Sequence, residues 1–180
     1  MSQVLDFIAY RNRAVEQRAF GPWCKRFGES YNAETRLADL SDATLYFLAR
    51  PGEDTAIAFY ELIMGILGLG EGPGFYYLDE KDQLRVIDIH LFLADRVRFE
   101  LMRRLGWLAS APGENHTLLE MVQAFETIKA EVTQKTVALS ESHPEYNTFE
   151  KLTSADKQVF IRRRLIKALE EFRARVLPLE

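Results

Sequence analysis

Cysteine is nearly absent from this chain: Cys24 is the only one among 180 residues. No internal disulfide can form, and a cysteine-based metal site would lack ligands. Histidine is scarce too, with only His90, His116 and His143, so the count excludes a His-rich catalytic centre. Paired Glu-x-x-His motifs of di-iron bundles are missing, as is His-Glu-x-x-His. No metal and no cofactor is therefore expected. The most apolar window, residues 56–69, is shorter than a bilayer span and carries Glu61 near its middle, which argues for burial in protein and against a membrane. The first residues lack a basic segment followed by a long apolar run, so secretion by a standard signal is not expected and the cytoplasm is. There is no internal repeat, low-complexity tract or long linker, so residues 1–180 read as one helical domain.

What remains is a chain with a core to bury. Hydrophobic residues make up 47% and aromatics 12%, enough to exclude disorder. A net charge of −4 is modest but unevenly spread. Residues 1–36 and 150–180 each carry a small excess of Lys and Arg, and the segment between them is acidic. The two basic ends are expected to pack near each other or against that acidic middle, within one subunit or between two.

Apolar spacing predicts an all-α, single-domain bundle of six or seven helices. The first covers residues 4–20, with Leu5, Ile8, Val15 and Ala19 on one side, and stops at Gly21-Pro22; residues 22–27 add a short turn carrying Trp23, Cys24 and Phe27. Ser41 caps a helix over 42–49. The next, 53–67, is apolar over most of its circumference apart from a stripe of Asp54, Ala58, Glu61, Gly65 and Gly68. Such a helix is central or lies at a subunit interface, and the stripe suits close approach of a second helix. Asn115 is expected to cap a helix reaching about residue 139. Thr153 or Ser154 caps the last, to about residue 176, closed by Pro178.

Between residues 68 and 74 glycine recurs at every second position. No strand precedes it and no Gly-Lys-Ser/Thr follows, so it reads as an elbow and not as a phosphate loop. Residues 75–87 allow two readings, a hairpin or the start of a helix reaching residue 105; unbroken heptad spacing from Leu84 favours the helix. That helix and the 53–67 helix form the expected central buried pair.

Leu84, Ile87, Leu91, Ala94, Leu101 and Leu105 alternate steps of three and four, and Arg98 falls on the same face with His90 close by. A buried guanidinium costs several kcal/mol unless a carboxylate meets it. The expected site is thus a polar cluster in which Glu61, from the preceding helix, faces Arg98 and His90; the plainer reading of the same residues is a structural ion pair. Asp88 and Asp95 lie one heptad apart and are expected to be solvated or paired with Arg96 or Arg103. Cys24 reads as buried and inert despite Lys25 and Arg26.

Function follows only in outline. Near all-round apolarity of the 53–67 helix, with no recognisable catalytic constellation, suggests a non-catalytic cytoplasmic interaction protein that self-associates into a homo-oligomer. The alternative is a small-molecule-binding or enzymatic bundle using Glu61, His90 and Arg98. A second alternative, a nucleic-acid-associated regulator, would use Arg162, Arg163, Arg164 and Lys167. Those three successive arginines spread around a helix and do not form one basic face, so nucleic acid is not the expected partner.

Overall fold

Helices begin where a short polar side chain can accept the first free backbone N–H groups. Ser41, Asp79, Thr117 and Thr153 each do so, accepting from the backbone N–H of Thr44, Asp82, Glu120 and Asp156. At Thr117 the Glu120 carboxylate returns a bond to the Thr117 N–H and completes a capping box. A computed structural model describes the backbone of residues 2–177 and the side chains of residues 10–177. Within these residues the fold is all-α: α1 Ser2–Phe27, α2 Asp42–Ala49, α3 Glu53–Leu67, α4 Glu80–Arg104, α5 Leu118–Gln123, α6 Phe125–Thr133, α7 Tyr146–Glu150, α8 Ser154–Arg163 and α9 Leu165–Val176. Two 3-10 turns, Leu37–Asp39 and Gly72–Tyr77, complete it.

Nine α-helices among the described residues exceed the six or seven expected, because two long helices are broken and a short one, α7, forms where none was expected. The helix expected over 115–139 starts at Thr117, kinks at Ala124 (φ −110°, ψ 35°) and ends at Thr133. The helix expected over 153–176 breaks at Arg164, whose guanidinium forks onto Glu145 and stacks 3.2 Å from the Phe160 ring centroid. In the opposite direction, α1 passes through Gly21-Pro22 and ends at Phe27. Proline in a helix interior costs about 3 kcal/mol. Packing on both sides of it outweighs that: Ala19, Phe20 and Trp23 are fully buried, and the Trp23 indole N–H donates to the Ala58 carbonyl at 2.7 Å. Leu5, Ile8 and Pro178 lie outside the side chains described.

Helix α3 is the centre, with α1, α2, α4, α5 and the Gly72–Tyr77 turn all against it. Its small-residue stripe receives α1. A Cβ added to Gly65 would sit 2.6 Å from the Ala19 Cα and the Arg18 carbonyl oxygen, so only glycine permits this approach. Further along the stripe Glu61 accepts both Arg26 bonds. The partner expected for the stripe is thus supplied by the same chain. Gly68 ends α3 in the left-handed conformation (φ 70°), and the glycine segment turns the chain into the Gly72–Tyr77 turn. Residues 80–87 are helical, not a hairpin strand.

Charge distribution follows the expected pattern inside one subunit. The basic ends reach the acidic middle through Arg26–Glu61, Arg162–Asp95, Arg164–Glu145 and Arg175–Asp42. Glu100 on α4, only 1% exposed, accepts from Arg103 and Arg104, and Arg104 continues to Asp42 and the Leu37 carbonyl. This network ties α2, α4 and α9 together, since Arg175 also donates to the Arg104 carbonyl.

Candidate functional site

Helix α4 carries two apolar rows that meet at Leu101, and over its first half the fold buries the row that does not contain Leu84 and Leu91. Val86, Ile89, Leu93, Val97 and Leu101 are at most 1% exposed and follow the 3.6-residue period. Leu84 and Leu91, on the heptad row, are 55% and 59% exposed. A straight α-helix drifts about 20° per heptad away from a 3.5-residue repeat, so a heptad row cannot stay on the core across three heptads. Arg98, on the same row, is half-buried at the helix surface; its Nε is shielded without a hydrogen-bond partner, and its Nη1 lies 3.6 Å from Asp95.

The expected trio is not brought together. Glu61 pairs with Arg26 at 2.5 Å and not with Arg98. His90 packs against the Phe59 and Tyr60 rings, with centroids at 4.9 and 5.3 Å. Burial holds its imidazole below the usual pKa, and the Arg98 charge acts in the same direction. Asp95 pairs with Arg162 and Arg98, whereas Arg103 belongs to Glu100. Cys24 is part-buried and exchanges hydrogen bonds with the Tyr31 backbone. Among the described residues no three His, Cys, Asp or Glu side chains gather as metal ligands, and no helix is long and apolar enough to cross a membrane.

A different residue is the buried cation. Arg96 is 7% exposed, its guanidinium carbon lies 5.1 and 4.9 Å from the Phe92 and Phe99 ring centroids, and Nη1 donates to the Pro112 carbonyl at 3.2 Å. Among the described residues no carboxylate pairs with it, and Nε is buried without an acceptor. Burial lowers its pKa to about 10; Asp95 opposes the shift and Arg162 adds to it. At neutral pH Arg96 therefore stays protonated in a setting with two aromatic faces and one neutral acceptor. Sequence reasoning passed it over because it lies two positions from the leucine row, on the side that the structure turns inward.

Arg96 lines a cavity of about 430 Å³ between α4, α6 and α8. Helices α6 and α8 reach α4 here through side-chain tips, with Phe125 against Phe92 (5.6 Å) and Arg162 against Asp95 (2.9 Å). The space between them is walled by Phe92, Phe99, Val132, Val137 and Ile161. Arg98, Lys129, Lys135 and Arg162 join Arg96 around it; Asp88 and Asp95 are the acidic residues of the lining, and Glu131 beside it pairs with Lys135 at 3.7 Å. On a chain of net charge −4 this is a local reversal of sign. Apolar walls under converging cations are the chemistry of an anion site with an apolar body. The basic run of α8 divides among different partners: Arg162 borders this cleft, Arg164 is spent on Glu145, and Arg163 is exposed.

Fold and site thus define an all-α protein with a basic, apolar-walled cleft. No protein family, curated protein or solved structure matches the chain in the comparisons made with each.

Proposed function

We propose that this is a non-catalytic binding protein that holds an anionic ligand in the cleft between α4, α6 and α8. The observation that carries the reading is Arg96: a guanidinium 7% exposed with no carboxylate partner and an unpartnered Nε. Left alone, such a group opposes folding; a bound anion compensates it. No nucleophile–base pair borders the cleft, which supports binding over catalysis. Cytoplasmic residence belongs to the same reading, supported by the single cysteine.

The test is thermal unfolding of the wild type and Arg96→Met with benzoate, phosphate or poly-L-glutamate, each against chloride at equal ionic strength. At least one anion is expected to stabilise the wild type, by about 2.7 kcal/mol at a hundred times its Kd. The variant should melt no lower than the wild type without ligand and lose the anion response. Equal responses in both proteins, or none in either, would overturn the proposal.

Self-association is a second reading. It draws support from Tyr76 and Tyr77, adjacent in the Gly72–Tyr77 turn and 61% and 92% exposed. Light scattering that shows a monomer at every working concentration would remove it.

A further inference from the structure

The cleft does not end at Arg96. A second groove of about 690 Å³ follows along α4 between Leu84 and Phe125, and Asp88 borders both spaces. Together they accompany α4 from Lys81 to Arg98, about 26 Å at 1.5 Å per residue. Along this length runs the row Leu84, Leu91, Arg98 at strict seven-residue spacing, its leucines exposed and its arginine half-buried. That spacing is the repeat by which one helix receives another, and among the described residues no helix covers Leu84 and Leu91.

Charge decides what kind of helix would fit. In the second groove Lys81 and Arg85 are balanced by Asp88 and Glu126. Toward Arg98 the cations dominate, with Arg96, Lys129, Lys135 and Arg162 joining. A second copy laid parallel on the same face would bring its own cations against these, so like-charge repulsion disfavours parallel self-pairing there. A compact anion would use the Arg96 end and leave the leucine row uncovered. We infer that the occupant is an acidic amphipathic helix from a partner protein, its apolar residues on Leu84 and Leu91 and its carboxylates toward Arg96, Arg98 and Arg162. This rests on the reading of the cleft as an anion-binding site and names its partner class.

The experiment uses the full chain and a fluorescent synthetic 18-residue helical peptide with leucine at heptad spacing and flanking glutamates. A scrambled peptide of equal composition is the control, and anisotropy is the readout. The helical peptide is expected to bind at least tenfold more tightly than the scrambled one, and less tightly as salt rises. Leu84→Asp with Leu91→Asp, both at exposed positions, should keep the wild-type melting temperature and weaken the peptide at least tenfold. If the two peptides bind equally while benzoate or phosphate still stabilises the wild type through Arg96, the helix inference falls and the anion cleft stands. A concentration-dependent dimer that the Leu84/Leu91 variant dissolves would assign the face to a second copy and overturn it too. If no anionic probe binds at all, both readings fail.

Discussion

Replacing Glu100 by glutamine tests the energetic centre of the fold. The Glu100 carboxylate is 1% exposed and accepts from Arg103 Nε (2.8 Å), Arg103 Nη2 (2.7 Å) and Arg104 Nε (3.0 Å). Glutamine keeps the shape but removes the charge, and its amide N–H groups face donors. Breaking a buried pair by neutralising one partner costs about 3–5 kcal/mol. Arg103 is about one-third exposed and can return to water, while Arg104 is 12% exposed and keeps Asp42 and the Leu37 carbonyl. Both facts place the expected loss at the lower end, about 3 kcal/mol. For a chain of this length that corresponds to a fall in Tm of about 6–12 °C.

The same substitution has a pH signature. Burial alone would raise the Glu100 pKa, but the hydrogen bonds and charges of Arg103 and Arg104 outweigh it and hold the carboxyl below its ordinary 4.5. Its contribution is therefore complete above pH 4.5. As pH falls, the unfolded chain takes up the proton first, and the contribution is lost through the depressed folded value. Urea unfolding from pH 7 downward should show the gap between wild type and Glu100→Gln narrowing below that point. A gap under about 1 kcal/mol at pH 7, or one that stays constant into acid, would refute the reasoning.

Other perturbations reach different parts of the fold. Gly65→Ala puts a methyl group 2.6 Å from the α1 backbone; overpacking of this kind costs about 1–3 kcal/mol, and chemical denaturation should show it. His90→Phe should leave stability near neutral pH almost unchanged, since the imidazole is already neutral and packs tilted against Phe59 and edge-on to Tyr60. Its folded pKa lies below 6.5, so wild-type stability falls as pH drops from 6.5 toward that folded value. Unfolding curves of the variant should show a smaller slope, the remainder belonging to His143, whose pKa burial also lowers, and an unchanged slope would place the titrating group elsewhere.

Local chemistry made much of the fold legible in the sequence. Ser41 caps as expected, and of the two candidates Thr153 and Ser154 it is Thr153 that caps, because a cap needs only a few neighbouring residues. Asn115 was the wrong choice; Thr117 with Glu120 forms the reciprocal box two residues later. The expectation that the α3 stripe receives a helix held, and α1 turned out to be that helix. The site was less legible. Seven-residue leucine spacing marked the outer row of α4, while the inner row of Val86, Ile89, Leu93 and Val97 had an equal claim to the core. Spacing alone therefore points to Arg98 and gives Arg96 no role beyond pairing with the aspartates.

Composition and periodicity by themselves determined that this chain is helical, that it has enough apolar surface for a core, and where most of its helices start. They hold that information because capping and 3.6-residue repetition act over a single turn or two. Only tertiary structure decided which side of α4 faces inward, which arginine loses its water, and that α1 runs through a proline to reach α3. Each of those outcomes depends on burial summed over residues distant in the chain, such as Trp23 on Ala58 and Ala19 on Gly65.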